Sequence, residues 1–420
     1  MSSSFLRSLF GFALTLSIIG GAAGAAQAEI TELTSASVVR RDGRKINLGA
    51  LAFKFYQQGV KALKAGDIEK AEAAYNEAIR IYPAYARAYF ERGNLYLKGN
   101  SADRALADFS KVIELKPDDL LADAYLNRGL VYNKYLDKHF DAINDFTAAM
   151  RLKPNWKEAY YNRAVAYENV KRFPKAISDY ETILKEDPNY VDAYNNIGII
   201  YLDQKKYAEA LKYFQKAVDI NPKFALGYAN IALTHVRTEN FDKAVANYDK
   251  AIALNPKDPV SYHDRGFIYN DIRKEYDKAL ADFTQAITLR PDYGNAYYNR
   301  ALTYYNMSKY AEAVSDFSKA LEINPKDADA YYFRGESHLS LNQYDEAIKD
   351  FRAVADLIPD DAWSHYQLSA LYALKKDFPT ALAELKTAIK YNPEFKQKAK
   401  KEQLFVFIRN NPEFKKLVSE

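Results

Sequence analysis

Two columns of polar side chains recur along this chain at spacings that could organise chemistry or binding. The first couples an arginine to an aspartate sixteen or seventeen residues later: Arg92/Asp108, Arg128/Asp145, Arg163/Asp179, Arg265/Asp282, Arg300/Asp316 and Arg334/Asp350. A guanidinium facing a carboxylate can seize an anion, or it can brace two elements of the fold. The segments that carry the arginine are the ones that carry the aspartate. At the four remaining places both change together, to Gln58/Ala74, Ile197/Tyr213, Ile231/Asn247 and Leu368/Glu384. Loss in tandem points to contact within one unit, so a partly buried structural ion pair between two helices is expected and a direct ligand site is not. The second column lies one residue earlier: Asn127, Asn162, Asn196, Asn230, Asp264 and Asn299. A side-chain amide both donates and accepts, so such a row can grip the C=O and N–H of an extended peptide or tie neighbouring helices together. Tyr161, Tyr298, Tyr332 and Tyr366, one position earlier still, would add apolar contact.

Catalytic patterns are missing. The five histidines, His139, His235, His263, His338 and His365, form no His-x-x-x-His pair, and there is no acidic calcium loop, phosphate-cradling glycine loop or Gly-x-Ser-x-Gly elbow. His235, His338 and His365 stand where the chain otherwise places tyrosine, which marks them as packing substitutions. No cysteine is present, so disulfides, thiolate metal sites and a lipidated cysteine are excluded. The net charge of +4 gives no basic face for nucleic acid. No enzyme activity, metal or cofactor is expected.

The elements that carry these columns are helices in a fixed period. Pro83, Pro117, Pro154, Pro188, Pro222, Pro256, Pro291, Pro325, Pro359 and Pro393 are 34 residues apart, except for single gaps of 37 and 35. Within residues 191–224, Tyr194, Ile197, Gly198 and Tyr201 make one helical stripe, and Ala210, Phe214 and Ala217 make a second. The equivalent of Ala210 is alanine in every unit, and the equivalent of Gly198 is Gly, Ala or Ser, as two closely packed helices demand. A 34-residue period with aromatic, Leu-Gly, Tyr, Ala, Phe and Pro at set offsets resembles the tetratricopeptide repeat. The resemblance covers residues 52–395 in ten units: 52–85, 86–119, 122–156, 157–190, 191–224, 225–258, 259–293, 294–327, 328–361 and 362–395. Repeat 3 has extra residues at Leu120-Leu121 and near Lys138-His139, and repeat 7 has one near Lys274-Glu275; both are expected in loops.

The resemblance implies an all-α, right-handed solenoid whose first helices line a concave groove. The asparagine column then resembles the ladder by which such domains, including those of O-linked N-acetylglucosamine transferases, hold extended peptides. Peptide grip and internal bracing both remain open. The carboxylate clamp of heat-shock co-chaperones is not matched, because no lysine occupies its position. The implied function is a non-catalytic scaffold for other proteins; the alternatives are a self-associating structural protein and the binding lobe of a cell-envelope polysaccharide or cell-wall machine.

The two ends differ from the repeats. Residues 29–51 lack periodicity and are expected to be a linker. Residues 396–420 are expected to form a C-terminal capping helix with Leu404, Phe405, Phe407 and Ile408 inward and Lys396, Lys398, Lys400 and Lys401 outward. Residues 1–28 read as a signal peptide, with Arg7, the apolar run Leu9 to Ile19, and the small-x-small site Ala26-Gln27-Ala28. The chain is therefore expected in the periplasm or outside the cell, cleaved after Ala28, with no later membrane span. Mass spectrometry of the exported protein should find Glu29 at its N-terminus; an intact Met1 would make the segment an uncleaved anchor instead.

Overall fold

In the computed structural model, the described residues are 37–39 and 45–419. The signal-peptide segment lies outside them. A short antiparallel pair, β1 (Ser37–Val39) and β2 (Lys45–Asn47), is registered with Ser37 opposite Asn47 and Val39 opposite Lys45. The stretch expected as a linker thus contains a strand pair, and the first helix begins at Leu48 rather than 52. Asn47 sets that start: its side-chain oxygen accepts from the Ala50 N–H at 2.9 Å and caps the helix.

The rest is helical. The chain divides after Ile220 into two compact units. The first holds five antiparallel pairs: α1 (Leu48–Lys64) with α2 (Ile68–Ile81), α3 (Ala86–Lys98) with α4 (Ala102–Leu115), α5 (Leu121–Lys134) with α6 (His139–Leu152), α7 (Lys157–Asn169) with α8 (Phe173–Glu186), and α9 (Val191–Asp203) with α10 (Tyr207–Ile220). The second holds α11 (Ala225–Arg237) with α12 (Phe241–Leu254), α13 (Pro259–Phe267) with α14 (Tyr276–Leu289), α15 (Gly294–Asn306) with α16 (Tyr310–Ile323), α17 (Ala328–Ser340) with α18 (Tyr344–Leu357), and α19 (Ala362–Leu374) with α20 (Phe378–Tyr391). Inside each unit, the second helix of one pair packs on the first helix of the next, which is the stacking of an all-α repeat solenoid.

Close approach sets the pair geometry. A Cβ added to Gly198 would lie 2.5 Å from the Phe214 ring, so the ring rests on bare backbone. The alanine column from Ala71 to Ala381 is sealed on the facing helix. Repeat 10 solves the contact differently. Leu385 replaces the ring, and the Ser369 hydroxyl in the freed space donates to the Ala381 carbonyl at 2.6 Å. Each turn between paired helices carries one left-handed residue: Gly66, Asn100, Asp137, Lys171, Lys205, Glu239, Lys274, Ser308, Asn342 or Lys376. The bond from Lys206 N–H to Tyr201 C=O at 2.9 Å closes such a turn as a helix C-cap.

The two insertions between paired helices, in repeats 3 and 7, are absorbed in different ways. Repeat 3 widens its inter-helix turn. Repeat 7 does not: its extra residue lies inside the first helix, where Ile268–Ile272 form a π-turn and Arg273 N–H reaches the Ile268 carbonyl. A helix that must keep its buried stripe on both sides can absorb one residue as a local bulge. The C-terminal segment also departs from a single helix. It folds as α21 (Phe395–Lys401), a 3-10 turn at Gln403–Phe405, and α22 (Pro412–Ser419). Glu402 is extended at ψ 128°, and Pro412 has no N–H to continue a helix through it. The bend sends Phe395, Ala399, Phe405, Ile408, Phe414 and Val418 into repeat 10, while Phe407 stays outside.

The arginine–aspartate pairs lie between the helices of each pair. In all six, Nε and Nη2 of the arginine donate to the two carboxylate oxygens, as with Arg163 and Asp179 at 2.8 and 2.7 Å. Arg300 meets Asp316 at 2.6 and 2.8 Å, and Arg334 meets Asp350 at 2.8 and 2.6 Å. The pairs are partly buried, as expected, and the burial is divided unequally between the partners. Asp108, Asp145, Asp179, Asp282, Asp316 and Asp350 are all buried, with Asp316 at 6% and Asp350 at 3% exposure, and only the arginines stay partly exposed. The physical reason is reach: a short carboxylate on the second helix stays between the backbones, and the longer arginine side chain lies over it as a lid.

The third nitrogen, Nη1, reaches back to the preceding repeat: Asn76, Ser110, Thr147, Asp249, Thr284 or Ser318. Each guanidinium therefore ties three helices. Burial pushes the carboxyls of Asp108, Asp145 and Asp282 above their ordinary range in spite of the arginine beside them. Ionisation there is costly and is tolerated only because the partner is present. In repeat 10, Glu384 takes the aspartate's place and accepts from Arg352 of repeat 9 at 2.7 Å, while His365 lies 2.6 Å away. Arg163→Ala alone should strand Asp179 and cost about 3–5 kcal/mol, whereas Arg163→Ile with Asp179→Tyr, copying repeat 5, should be near neutral. Chemical denaturation of the three proteins tests this; equal small losses would show a solvated pair.

Candidate functional site

The asparagine column, Asp264 included, lies on the first helix of repeats 3 to 8, one residue before the arginine or, in repeats 5 and 6, before Ile197 and Ile231, so the packing that buries the helix stripe also orients the side chains. In the first unit, Asn127 on α5 is 9% exposed and its Nδ2 donates to Asn94 Oδ1 of repeat 2 at 2.8 Å. Asn162 on α7 donates to the Glu158 carbonyl at 2.9 Å; a carbonyl only accepts, so the amide's oxygen must point the other way. Asn196 on α9 donates to the hydroxyls of Tyr161 and Tyr180 at 3.1 and 3.0 Å. Tyr180 in turn donates to Glu168 at 2.6 Å, which completes a chain across repeats 4 and 5. Burial pushes the phenols of Tyr161 and Tyr180 well above the ordinary range, so both remain neutral donors.

In the second unit, Asn230 on α11 is 4% exposed. Asp264 and Asn299 are joined through His263, which is 1% exposed. Its Nδ1 lies 2.9 Å from Asp264 Oδ1 and its Nε2 lies 2.8 Å from Asn299 Nδ2. An amide nitrogen only donates, so Nε2 accepts and Nδ1 carries the proton to Asp264. Tyr248 adds its hydroxyl to Asp264 at 3.3 Å, which extends the chain over repeats 6, 7 and 8. The sequence marks His263 only as one of five histidines and passes over Asn94 and Glu168 altogether. Their offsets within the repeat are the available signal.

The carbonyl oxygens of Asn127, Asn162 and Asn299 receive no hydrogen bond from any described residue, although each amide is held by its nitrogen. The flanking tyrosines divide into two kinds. Tyr161 and Tyr298 stay half-buried, packed edge-on against Tyr180 and Phe317 at 5.7 Å. Tyr332 is likewise half-buried, against Phe351. Tyr366 is 1% exposed, stacked on Phe395 at 4.6 Å beneath the C-terminal segment, so it offers no surface to a partner. On α1, Tyr56 and Gln57 at the same positions of repeat 1 border a shallow open depression of about 390 Å³ together with Phe53, Val60, Lys61 and Lys64 of the same helix. Among the described residues no group of three histidine or acidic side chains could hold a metal ion, and no helix is long and apolar enough to cross a membrane.

Comparison with known proteins places these elements. Profiles described as tetratricopeptide repeat or TPR repeat match residues 56–119, 158–190, 191–224, 235–271, 272–308, 294–327 and 328–361, more than half of the chain. Among curated relatives, the human protein O-mannosyl-transferase TMTC3 is 30% identical over 112 residues, 26% of this chain and 12% of the relative. Rat serine/threonine-protein phosphatase 5 is 34% identical over 96 residues, 23% of this chain and 19% of the relative. The chain thus spans under a fifth of the length of either. A tetratricopeptide repeat protein of Parabacteroides merdae is 20% identical with a TM-score of 0.43, covering 68% of this chain and 98% of that one. Period, helix pairing, the glycine–ring contact and the profile matches agree: the chain belongs to the tetratricopeptide repeat family.

Proposed function

We propose that this chain is an exported, non-catalytic scaffold whose first-helix face holds an extended segment of a partner polypeptide. The observation that supports this most directly is the condition of three ladder amides. Asn127, Asn162 and Asn299 are fixed through Nδ2, and their carbonyl oxygens take no bond from the described residues. An acceptor held in place and left open suits a backbone N–H, whose donor is the same for every side chain. Recognition of that kind selects extended shape before sequence. Asn196 and Asp264 have their acceptors engaged by Asn195, Tyr248 and His263, so in this scheme they brace the face. The shallow depression on repeat 1 adds Tyr56 and Gln57 at the same two positions, beside Phe53, Val60, Lys61 and Lys64.

A random-peptide display library screened against the chain from Glu29 onward provides a ligand and a test. Each bond to a buried peptide group contributes on the order of 1 kcal/mol, so Asn162→Ala alone should weaken a selected peptide several-fold. Replacing Asn127 and Asn162 together with Ala removes two of the open acceptors and leaves Asn196 and its tyrosine partners in place; it should abolish binding while circular dichroism and melting stay close to the parent. A double variant that unfolds would make these two asparagines braces, and one that folds and binds normally would remove the face from recognition.

A further inference from the structure

The C-terminal segment presents an outer surface that peptide binding does not use. Its inner side is spent on repeat 10, where Phe395, Ala399, Phe405, Ile408, Phe414 and Val418 are buried. Between the 3-10 turn and α22, however, Val406 and Phe407 stand 53% and 50% exposed, side by side at the tip of a bend. A helix end with room to bury two large apolar residues would ordinarily do so, as its neighbours Phe405 and Ile408 do. The segment that carries this pair is cationic, and one cation lies directly against it. Lys376, in the turn of repeat 10, places its ammonium 5.3 Å from the centre of the Phe407 ring. Lys400, Lys401, Arg409, Lys415 and Lys416 are exposed on the same segment, and none makes an ion pair among the described residues. Against these stand the exposed carboxylates Glu394 and Glu413, with Glu402 half-buried, so cations still predominate.

We infer that this tip docks the protein on an anionic lipid surface, with Val406 and Phe407 entering the headgroup boundary and the surrounding lysines and arginine meeting lipid phosphates. Three features favour lipid over the other occupants. The apolar pair sits in a turn and not along a helix face that a partner helix could pack on. Two residues supply far less contact than a stable protein interface needs. A second copy would bring the same cations face to face. An exposed apolar pair with Lys376 against it, on a segment rich in unpaired cations, matches the layering of a charged bilayer surface, apolar beneath and anionic above.

The chain from Glu29 onward keeps every described residue and removes the apolar run at Leu9 to Ile19, which would enter lipid by itself. It should sediment with vesicles of phosphatidylcholine mixed with phosphatidylglycerol and stay in solution with phosphatidylcholine alone. Val406→Ser with Phe407→Ser should weaken partitioning by about tenfold, and Lys400, Lys401, Lys415 and Lys416→Gln by at least as much. Phe407→Trp supplies a readout that does not depend on a damaging change. Its indole emission should shift to the blue and be quenched by brominated lipid only when phosphatidylglycerol is present. No phosphatidylglycerol-dependent sedimentation would overturn the proposal. So would sedimentation that survives the double serine variant with an unshifted indole, which is adsorption of a cationic surface to any polyanion.

Discussion

The structure depends on one steric constraint, the contact between two helices over a residue with almost no side chain. Phe214 resting on Gly198 is its barest form, and a single added carbon would collide with the ring. Because that contact recurs from repeat 1 to repeat 9, with Gly or Ala beneath a ring, both helices of a pair are fixed in rotation about their axes. Fixed rotation decides every other column. The arginine beside the small residue must turn toward the second helix, and the asparagine before it must turn toward the neighbouring repeat. Polar groups placed this way have few alternatives, so they bond to one another in chains such as Glu168–Tyr180–Asn196 and Tyr248–Asp264–His263–Asn299.

The guanidinium adds a second level of order. Two of its nitrogens close the pair and the third reaches back one repeat, so stability is shared between intrinsic and nearest-neighbour contacts. Repeats 5 and 6 dispense with the device and bury Ile197 and Ile231 instead. In repeat 5, Tyr213 stacks on Tyr201 with ring centres 5.4 Å apart, filling the space the ion pair would take. The two solutions coexist because a buried ion pair and a well-packed apolar pair are close in free energy. A retained ion pair therefore says more about which helix faces meet than about how tightly they hold.

The period was legible because prolines, alanines and rings repeat at fixed offsets and each has one steric role. The left-handed turn residues were not, since Lys171, Lys205 and Glu239 do not advertise the conformation that Gly66 does. The partnership of arginine and aspartate was legible from their joint loss, but the depth of Asp316 and Asp350 was not, because burial depends on what the arginine covers. The back-contact of the arginines was hidden because its acceptor changes from Asn76 to Ser110, Thr147 and Asp249. At repeat 7, an inserted residue carries no mark of whether a loop or a helix will absorb it, and the buried stripe chose the helix. At the C-terminus, the apolar residues were recognised as a cap, but not the extended Glu402 that turns Phe407 outward. In the site, the asparagine column could be read directly, whereas the split between engaged and open carbonyls needs coordinates, because it depends on partners one repeat away.

That split is the centre of the functional account: a face rigidly wired on its inner edge and open on its outer one. The most direct measurement is a crystal structure of the chain from Glu29 onward with a display-selected peptide bound. The peptide should lie extended along the first helices, with its backbone N–H groups within hydrogen-bond distance of Asn127 Oδ1 and Asn162 Oδ1, and with the bonds from their Nδ2 atoms to Asn94 and the Glu158 carbonyl unchanged. A peptide bound on the second helices, or one that breaks those inner bonds to reach the amides, would contradict it.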